Sequence, residues 1–391
     1  MELKDNPELR EQLYRCSKCG YCRDTVSDEL GFYHVCPVYK NLRMEHYSGR
    51  GRTTVALGLS EGKIRLSKPL SEVLYTCLSC GACKEICPEK IDVCEITRRM
   101  REELLKKKIQ PPKITKLQTA LKNTHNLFGE ENSRTKWAEE LKLPQKGKIL
   151  YFAGCSASYS YPKTARACVK ILQKSEGDVA YLGEKEWCCG APVFWSGNKK
   201  LFEEIVKHNL REIKASGAKE VIFGCAVCYS MFKTHYAEVS HVPFEVTHIS
   251  QSIARALKQG KLEFKKPLTK KVTYHDPCHL GREEKVFEQP RKVIKSIPGV
   301  KYREMERNRR AAWCCGEGVV VNALHPDLTR KISAERIEEA RRAGAEAIIT
   351  CCPGCVATLS KAAAWVKSRE GIEIPVFELP TVVAEAMGIK L

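Results

Sequence analysis

The sequence predicts a chain of mixed α+β and α/β class, in which a helical, cysteine-rich N-terminal domain precedes two duplicated α/β domains. Three observations predict it. Ten of the 21 cysteines fall into two copies of one pattern: a lone Cys, then Cys-Cys-Gly, then C-x2-C. From Lys148 onward, short β-rich runs alternate with amphipathic helical stretches, the mark of parallel α/β units. Eight more cysteines form two dense runs that end at Cys87, ahead of that alternation.

The N-terminal elements follow from local signals. Asn6-Pro7-Glu8 reads as an N-cap with proline at the first helical position, opening a short helix that ends before Cys16. Cys77-x2-Cys80-x2-Cys83-x3-Cys87-Pro88 then carries the spacing of bacterial ferredoxins, and Cys16-x2-Cys19-x2-Cys22 followed by Cys36-Pro37 repeats it with a longer gap. Three cysteines at this spacing fold around three corners of a cubane, and in two-cluster ferredoxins the fourth Cys of each run ligates the other cluster. Cys16, Cys19, Cys22 and Cys87 are therefore expected to hold one 4Fe-4S cubane, and Cys77, Cys80, Cys83 and Cys36 the other. Gly20 and Gly81 let the backbone approach the sulfides, while Pro37 and Pro88 stop a helix past the fourth ligand. A helix from Glu95 to about Lys108 leads out, with Lys106, Lys107 and Lys108 suiting its C-terminal dipole and Pro111-Pro112 ending it. Residues 113–146 hold short helical patterns, such as Ile114 to Leu121, and connect the two parts.

In the first α/β half, Ile149 to Ala153 reads as a strand ending at Cys155, Ala165 to Lys174 as a helix, and Val179 to Leu182 as a second strand before Trp187-Cys188-Cys189-Gly190. Leu201, Phe202, Ile205, Val206, Leu210 and Ile213 form the apolar stripe of a longer helix that Gly217 ends. Val221 to Phe223 delivers Cys225 and Cys228, and Phe244 to Thr247 precedes a helix capped by Ser250. The order then recurs. Val272 to Tyr274 leads to Cys278, Lys301 to Met305 precedes Trp313-Cys314-Cys315-Gly316, Ala347 to Thr350 delivers Cys352 and Cys355, and Val376 to Leu379 leads to the last helix. Cys155 and Cys278, Cys188 and Cys314, and Cys225 and Cys352 are separated by 123, 126 and 127 positions, so the halves are a duplication with small insertions. The expected boundaries are 1–108 for the two-cubane, ferredoxin-like domain, 109–147 for the connecting segment, 148–262 for the first Cys-Cys-Gly domain and 263–391 for the second. Each cysteine group follows a strand or begins a turn, so all five of a copy can converge at the carboxyl edge of a sheet, where open α/β folds place ligands. A cleft between the halves is the expected active site.

Five thiolates per copy exceed the needs of a four-coordinate zinc and point to a multi-iron cluster in each half. A disulfide framework does not fit an odd cysteine count, a charged start without an apolar signal segment, and a chain of 391 residues. Zinc ribbons use two C-x2-C pairs, unlike the unbroken runs here. Cys94, Cys168 and Cys351 lie outside the patterns and are read as buried apolar residues. The net charge of +19 suits a solvated surface, an anionic substrate, or docking to a membrane subunit bordered by anionic lipid. No nucleic-acid module is visible, and no stretch is long and apolar enough to span a bilayer. The absence of a Gly-rich dinucleotide fingerprint assigns flavin or nicotinamide chemistry to another chain.

With two full copies of Cys, Cys-Cys-Gly and C-x2-C behind a two-cubane unit, the chain resembles the heterodisulfide reductase D-type family over about residues 10–390. That family corresponds to a fusion of the C and B polypeptides of the soluble enzyme. The resemblance implies that Cys155, Cys188, Cys189, Cys225 and Cys228 hold one noncubane 4Fe-4S cluster and Cys278, Cys314, Cys315, Cys352 and Cys355 a second. It further implies that a disulfide of the CoM-S-S-CoB type is reduced between them, with Cys155 and Cys278 at the site and His279 as proton donor. His279 has a second reading, as a hydrogen-bond donor to a cluster sulfide. Related Cys-Cys-Gly proteins serve as iron-sulfur subunits of flavin-dependent glycerol-3-phosphate, glycolate and lactate dehydrogenases, so electron transfer to a membrane cytochrome or quinone is the alternative function. The implied partners are a membrane b-type cytochrome or a flavoprotein electron donor. The implied location is cytoplasmic, peripheral on the inner face of the membrane through such a partner. Disulfide cleavage takes two electrons, one from each cluster, and from cubanes near roughly −400 mV to a disulfide near roughly −200 mV it releases about 9 kcal/mol.

Overall fold

Two parallel sheets with matching strand order form the body of the computed structural model, which describes residues 6–391. In the first half β3 (Ile149–Phe152), β4 (Glu220–Phe223) and β5 (Glu245–His248) lie in the order β3-β4-β5. In the second, β6 (Lys271–His275), β7 (Lys301–Tyr302), β8 (Ala347–Thr350) and β9 (Val376–Glu378) lie in the order β7-β6-β8-β9. The central strands β4 and β8 are buried throughout, as strands covered by helices on both faces must be. The long helices Lys199–Ser216 and Pro353–Glu370 end on Gly217 and Gly371, both with left-handed backbone. One continuous apolar core joins the halves: Phe152 and Phe223 belong to it together with Ile348 and Leu359.

The N-terminal part packs its own core of Leu9, Leu13, Leu74, Ile96 and Met100 against Val320 of the second half. Its helices Pro7–Arg15, Gly49–Ser60, Lys68–Leu74 and Val93–Lys106 surround the cysteine runs. The helix opened by Asn6 forms as its cap predicts, Asn6 Oδ1 accepting from Leu9 N at 3.0 Å. An antiparallel hairpin, β1 (Asp24–Ser27) with β2 (Gly31–His34), fills the longer gap of the first run, where the cysteine spacing alone predicts no element.

Local chemistry moves several expected boundaries. Val179 to Leu182 forms a single bridge, Leu150 with Ala180, because Tyr181 N turns away to Pro144 O at 2.8 Å. Lys301 to Met305 is cut to two residues, since the Glu304 carboxylate is drawn to Arg291, 2.9 Å away. Ser250 does not cap the Ile249–Lys258 helix; His248 does, accepting from Ser250 N while Gln251 Oε1 takes His248 N–H at 3.0 Å. The exit helix starts at Val93, where Asp92 Oδ1 accepts from Glu95 N, and it ends at Lys106. Pro112, expected to help stop it, instead opens the next helix, Pro112–Thr124, as proline at a first helical position can.

Candidate functional site

The two N-terminal cysteine runs fold into two adjoining hollows. Cys16, Cys19, Cys22 and Cys87 line the first. Cys36, Cys77, Cys80 and Cys83 line the second, and Cys83 and Gly49 border both. Cys87 thus lines the hollow of the first run and Cys36 that of the second. Cys94, read as an apolar residue, also lines the second hollow beside Cys83. Gly49 keeps the wall thin. A Cβ there would stand 3.0 Å from Cys22 Cβ, 3.1 Å from its sulfur and 3.1 Å from Cys83 Cβ. Thiols gathered around a hollow whose shared wall has little room for a side chain fit a compact iron-sulfide cube in each.

All ten cysteines of the duplicated pattern line a single cavity between the halves, of about 850 Å³ including the part open to solvent. Strand ends put them there. Cys155 and Cys278 follow β3 and β6, while Cys225 and Cys352 are the N-caps of the helices that β4 and β8 feed. The Cys-Cys-Gly turns need their glycine. Gly190 and Gly316 have φ of +84° and +87°, and a Cβ would come within 2.8 Å of Phe202 or 2.9 Å of Thr329 O. Each of these glycines also donates its N–H to a cysteine, Cys188 Sγ at 3.5 Å and Cys314 Sγ at 3.4 Å.

The thiols run on as a contiguous series. Cys155 meets Cys188, Cys188 meets Cys189, Cys189 meets Cys228, and Cys228 meets Cys225. Cys225 and Cys352 then face each other as neighbours across the cavity. The mirror series continues through Cys355, Cys315 and Cys314 to Cys278, and Cys314 also meets Cys80 of the second hollow. Arg282 fastens that junction, donating to Cys80 O at 2.6 Å and Ala312 O at 2.5 Å. Among the described residues these cysteines are all unpaired by disulfides. Thiolates so crowded repel one another, and bound iron cations remove that repulsion; the donor set fits iron-sulfur clusters.

His279 lines the cavity, buried, with a carboxylate behind it. Its Nδ1 lies 2.6 Å from Glu283 Oε2, Glu283 Oε1 lies 2.8 Å from His235 Nε2, and His235 Nδ1 lies 2.9 Å from the half-exposed Glu238. The chain of groups thus runs from solvent to the cavity. Burial opposes the charge on His279, but the Cys278 thiolate and Glu283 outweigh it and hold its pKa up at about 10. Glu283 is held well below the usual carboxylate range: burial works against that, and the two histidines prevail. Glu317 also lines the cavity, its carboxyl pushed up to about 8 by burial and by the Cys315 and Cys352 thiolates. Sequence spacing alone does not single out Glu283, His235 or Glu317. Only the i, i+4 relation of His279 and Glu283 could have signalled one of them, and those residues lie on a π-helical turn.

His235 makes this array pH-sensitive. Burial lowers its pKa, Glu238 and Glu283 raise it more, and it stands at about 9. A folded-state value above the unfolded one, about 6.5, stabilises the fold fully below pH 6.5, and that contribution is lost as pH rises through 9. The gap corresponds to about 3 kcal/mol. Anaerobic urea unfolding of the native chain should show stability falling between pH 7 and pH 10, and His235→Gln should flatten that slope. An equal slope in both would contradict the assignment.

The fold and site define an iron-sulfur protein. A family model described as a 4Fe-4S dicluster domain matches residues 12–91, and one described as a cysteine-rich domain matches residues 149–233 and 272–360. The particular family follows from the relatives. The D polypeptide of the dihydromethanophenazine:CoB--CoM heterodisulfide reductase of Methanosarcina barkeri is 33% identical over 97% of this chain and 95% of its own length. The chain belongs to the heterodisulfide reductase D-type family. The B polypeptide of the fumarate reductase (CoM/CoB) of Methanothermobacter marburgensis is 29% identical over 89% of this chain and 68% of its own. EtfAB:quinone oxidoreductase of Syntrophomonas wolfei is 30% identical over 81% of this chain and 47% of its own. A crystal structure of a hypothetical protein from Helicobacter pylori shares the fold, with TM-score 0.59 and 13% identity, covering 100% of this chain and 76% of that one. The chain is an iron-sulfur electron-transfer subunit of an oxidoreductase. No helix among the described residues is long and apolar enough to cross a membrane.

Proposed function

We propose that this protein reduces a disulfide of the CoM-S-S-CoB type held between its two cysteine-rich sites. The observation that carries the reading is that both complete cysteine sets open onto one cavity, with Cys225 and Cys352 neighbours across it. Cys16, Cys19, Cys22 and Cys87, then Cys36, Cys77, Cys80 and Cys83, would hold two cubanes, and the two sets of five would hold two noncubane clusters. When bound, these clusters supply two electrons, one at a time, and iron atoms that hold thiols.

The chain's own residues supply the rest. Leu78, Leu127, Pro192, Val227 and Val319 line the cavity and keep water from the sulfurs. The S–S bond takes up two electrons and two protons and leaves as two thiols. With Nδ1 engaged by Glu283, Nε2 of His279 is the nitrogen left to give a proton; a flip of the ring then turns the bare nitrogen to Glu283, where a solvent proton passed along Glu238 and His235 replaces the one lost. Electrons reach this point from the second hollow, whose Cys80 abuts Cys314, and the first hollow adjoins the second at Gly49. A membrane cytochrome or a flavoprotein would charge the first hollow, where Cys19 is exposed.

The test is turnover of the mixed disulfide by anaerobically prepared protein with reduced viologen as donor. Release of two thiols per disulfide is expected. A chain with all its iron in place and no thiol release would contradict the proposal. The second reading, a relay from a flavin dehydrogenase to quinone, is favoured by the likeness to EtfAB:quinone oxidoreductase and requires no substrate in the cavity.

A further inference from the structure

The C-terminal cysteine set has a polar neighbour that its N-terminal twin lacks. His275 closes β6 three residues before Cys278, and the residue three before Cys155, closing β3, is Phe152. Both rings are buried, at 1% and 0% exposure. His275 offers a ring nitrogen to Cys315 and Cys355 such that the nitrogen and the two sulfurs all lie within 4.8 Å of one another.

The tautomer of His275 follows from its far side. Arg336 Nε stands 3.1 Å from His275 Nδ1, and a guanidinium can only donate. Nδ1 is therefore an acceptor, and the ring proton sits on Nε2. Arg336 cannot easily release its hold: fully buried, it donates from Nη1 to Arg307 O at 2.7 Å and to Glu339 Oε2 at 2.6 Å. Glu339 is fixed in turn by Arg307 Nε. Nε2 itself is buried and faces the Cys315 sulfur, but has no well-formed hydrogen bond within the protein. Leaving a buried donor without an acceptor is costly, and that cost vanishes once an acceptor fills the space by the two sulfurs. No such arrangement exists around Phe152, a hydrocarbon ring packed on Phe223 and Phe232.

We propose that His275 is a built-in N–H donor to sulfur at the C-terminal cluster site, which makes that site easier to reduce than the twin's phenylalanine would. The inference rests on the reading that each cysteine set holds a cluster. A hydrogen bond to a cluster sulfur stabilises the added negative charge of the reduced state and raises its potential. The placement matters because Cys80 abuts this set and not the other. An electron that arrives at the near site is then held there more firmly than it would be beside a hydrocarbon ring. His275 acts through sulfur and is a positioning residue.

Two variants test it, read by potentiometric EPR titration with iron per chain measured alongside. His275→Phe installs the twin's residue; His275→Gln keeps an N–H near the position of Nε2. In His275→Phe the one-electron reduction equilibrium of one noncubane site should fall about tenfold, about 59 mV, with the other sites unmoved. His275→Gln should recover most of that shift. An unchanged potential in His275→Phe overturns the proposal, and so do equal shifts in both variants. If His275→Phe loses iron, His275→Gln decides: a near-native potential supports the donor role, and iron loss there too marks a ligand or a purely structural residue. The titration uses no disulfide, so failure of turnover leaves this inference standing. Absence of both noncubane signals from the native chain removes its foundation and sinks it.

Discussion

Cys228→Ser should abolish thiol release while leaving electron entry intact. Cys228 is the fourth of the five thiols in the N-terminal series, meeting both Cys189 and Cys225, and Gly154 crowds it so closely that a Cβ would come within 2.9 Å of its sulfur. Serine there is a poor iron ligand in a space with no slack. Iron should drop from about sixteen to about twelve atoms per chain, one four-iron cluster out of four. The C-terminal set, which abuts Cys80, should still accept electrons from reduced viologen. Cleaving an S–S bond needs a second electron at the far sulfur, and the far site is now empty. Turnover should fall below detection. Cys168→Ala is the control: that thiol is fully buried against Tyr151, away from the cavity, and its loss should leave iron and turnover near native. A relay that only passes electrons onward predicts a different result. Dye reduction downstream would survive Cys228→Ser wherever the exit lies on the near side. Iron analysis, EPR and thiol titration on one preparation separate the cases.

Much of this site was legible in the sequence, because iron-sulfur chemistry asks for one residue type at fixed spacings. The cysteine runs, their glycines and the duplication announced both hollows and the cleft. Helices with strong caps were legible too, as Asn6 and Gly217 show. Residues whose role depends on contact between the halves were not. His235 lies in the first half and Glu283 in the second, and nothing in either local sequence shows that they meet. The junction of Cys80 with Cys314 spans two separate patterns in the same way. The Phe152 and His275 difference was written in the chain all along. It becomes visible only when the copies are superposed through Cys155 and Cys278, and its meaning needs Arg336, brought in from the Pro326–Arg342 helix. Strand ends were the least legible: Tyr181 and Glu304 leave their sheets for partners that sequence spacing does not reveal.

His279→Gln should separate electron delivery from disulfide chemistry. Glutamine can donate a hydrogen bond to a sulfide but cannot give up a proton, so the two roles read for this residue predict opposite results. If His279 gives the proton, turnover should fall by roughly 10²–10⁴, with iron content and reduction by viologen unchanged. Water must then supply protons, and the residual rate should rise as pH falls. Glu283→Gln should have a smaller effect of the same kind, since it breaks the link to His235 and leaves His279 in place. A His279→Gln chain that keeps native turnover would reduce the residue to a hydrogen-bond donor. The rate dependence on pH is the sharper readout, because a variant that merely perturbed the fold would lose activity without acquiring a demand for solvent protons. Glu238 stands half exposed at the outer end of the series, so Glu238→Gln should leave maximal turnover nearly unaltered where water reaches His235 directly. The ordering His279, then Glu283, then Glu238 in severity is what a proton path from solvent to the cavity requires.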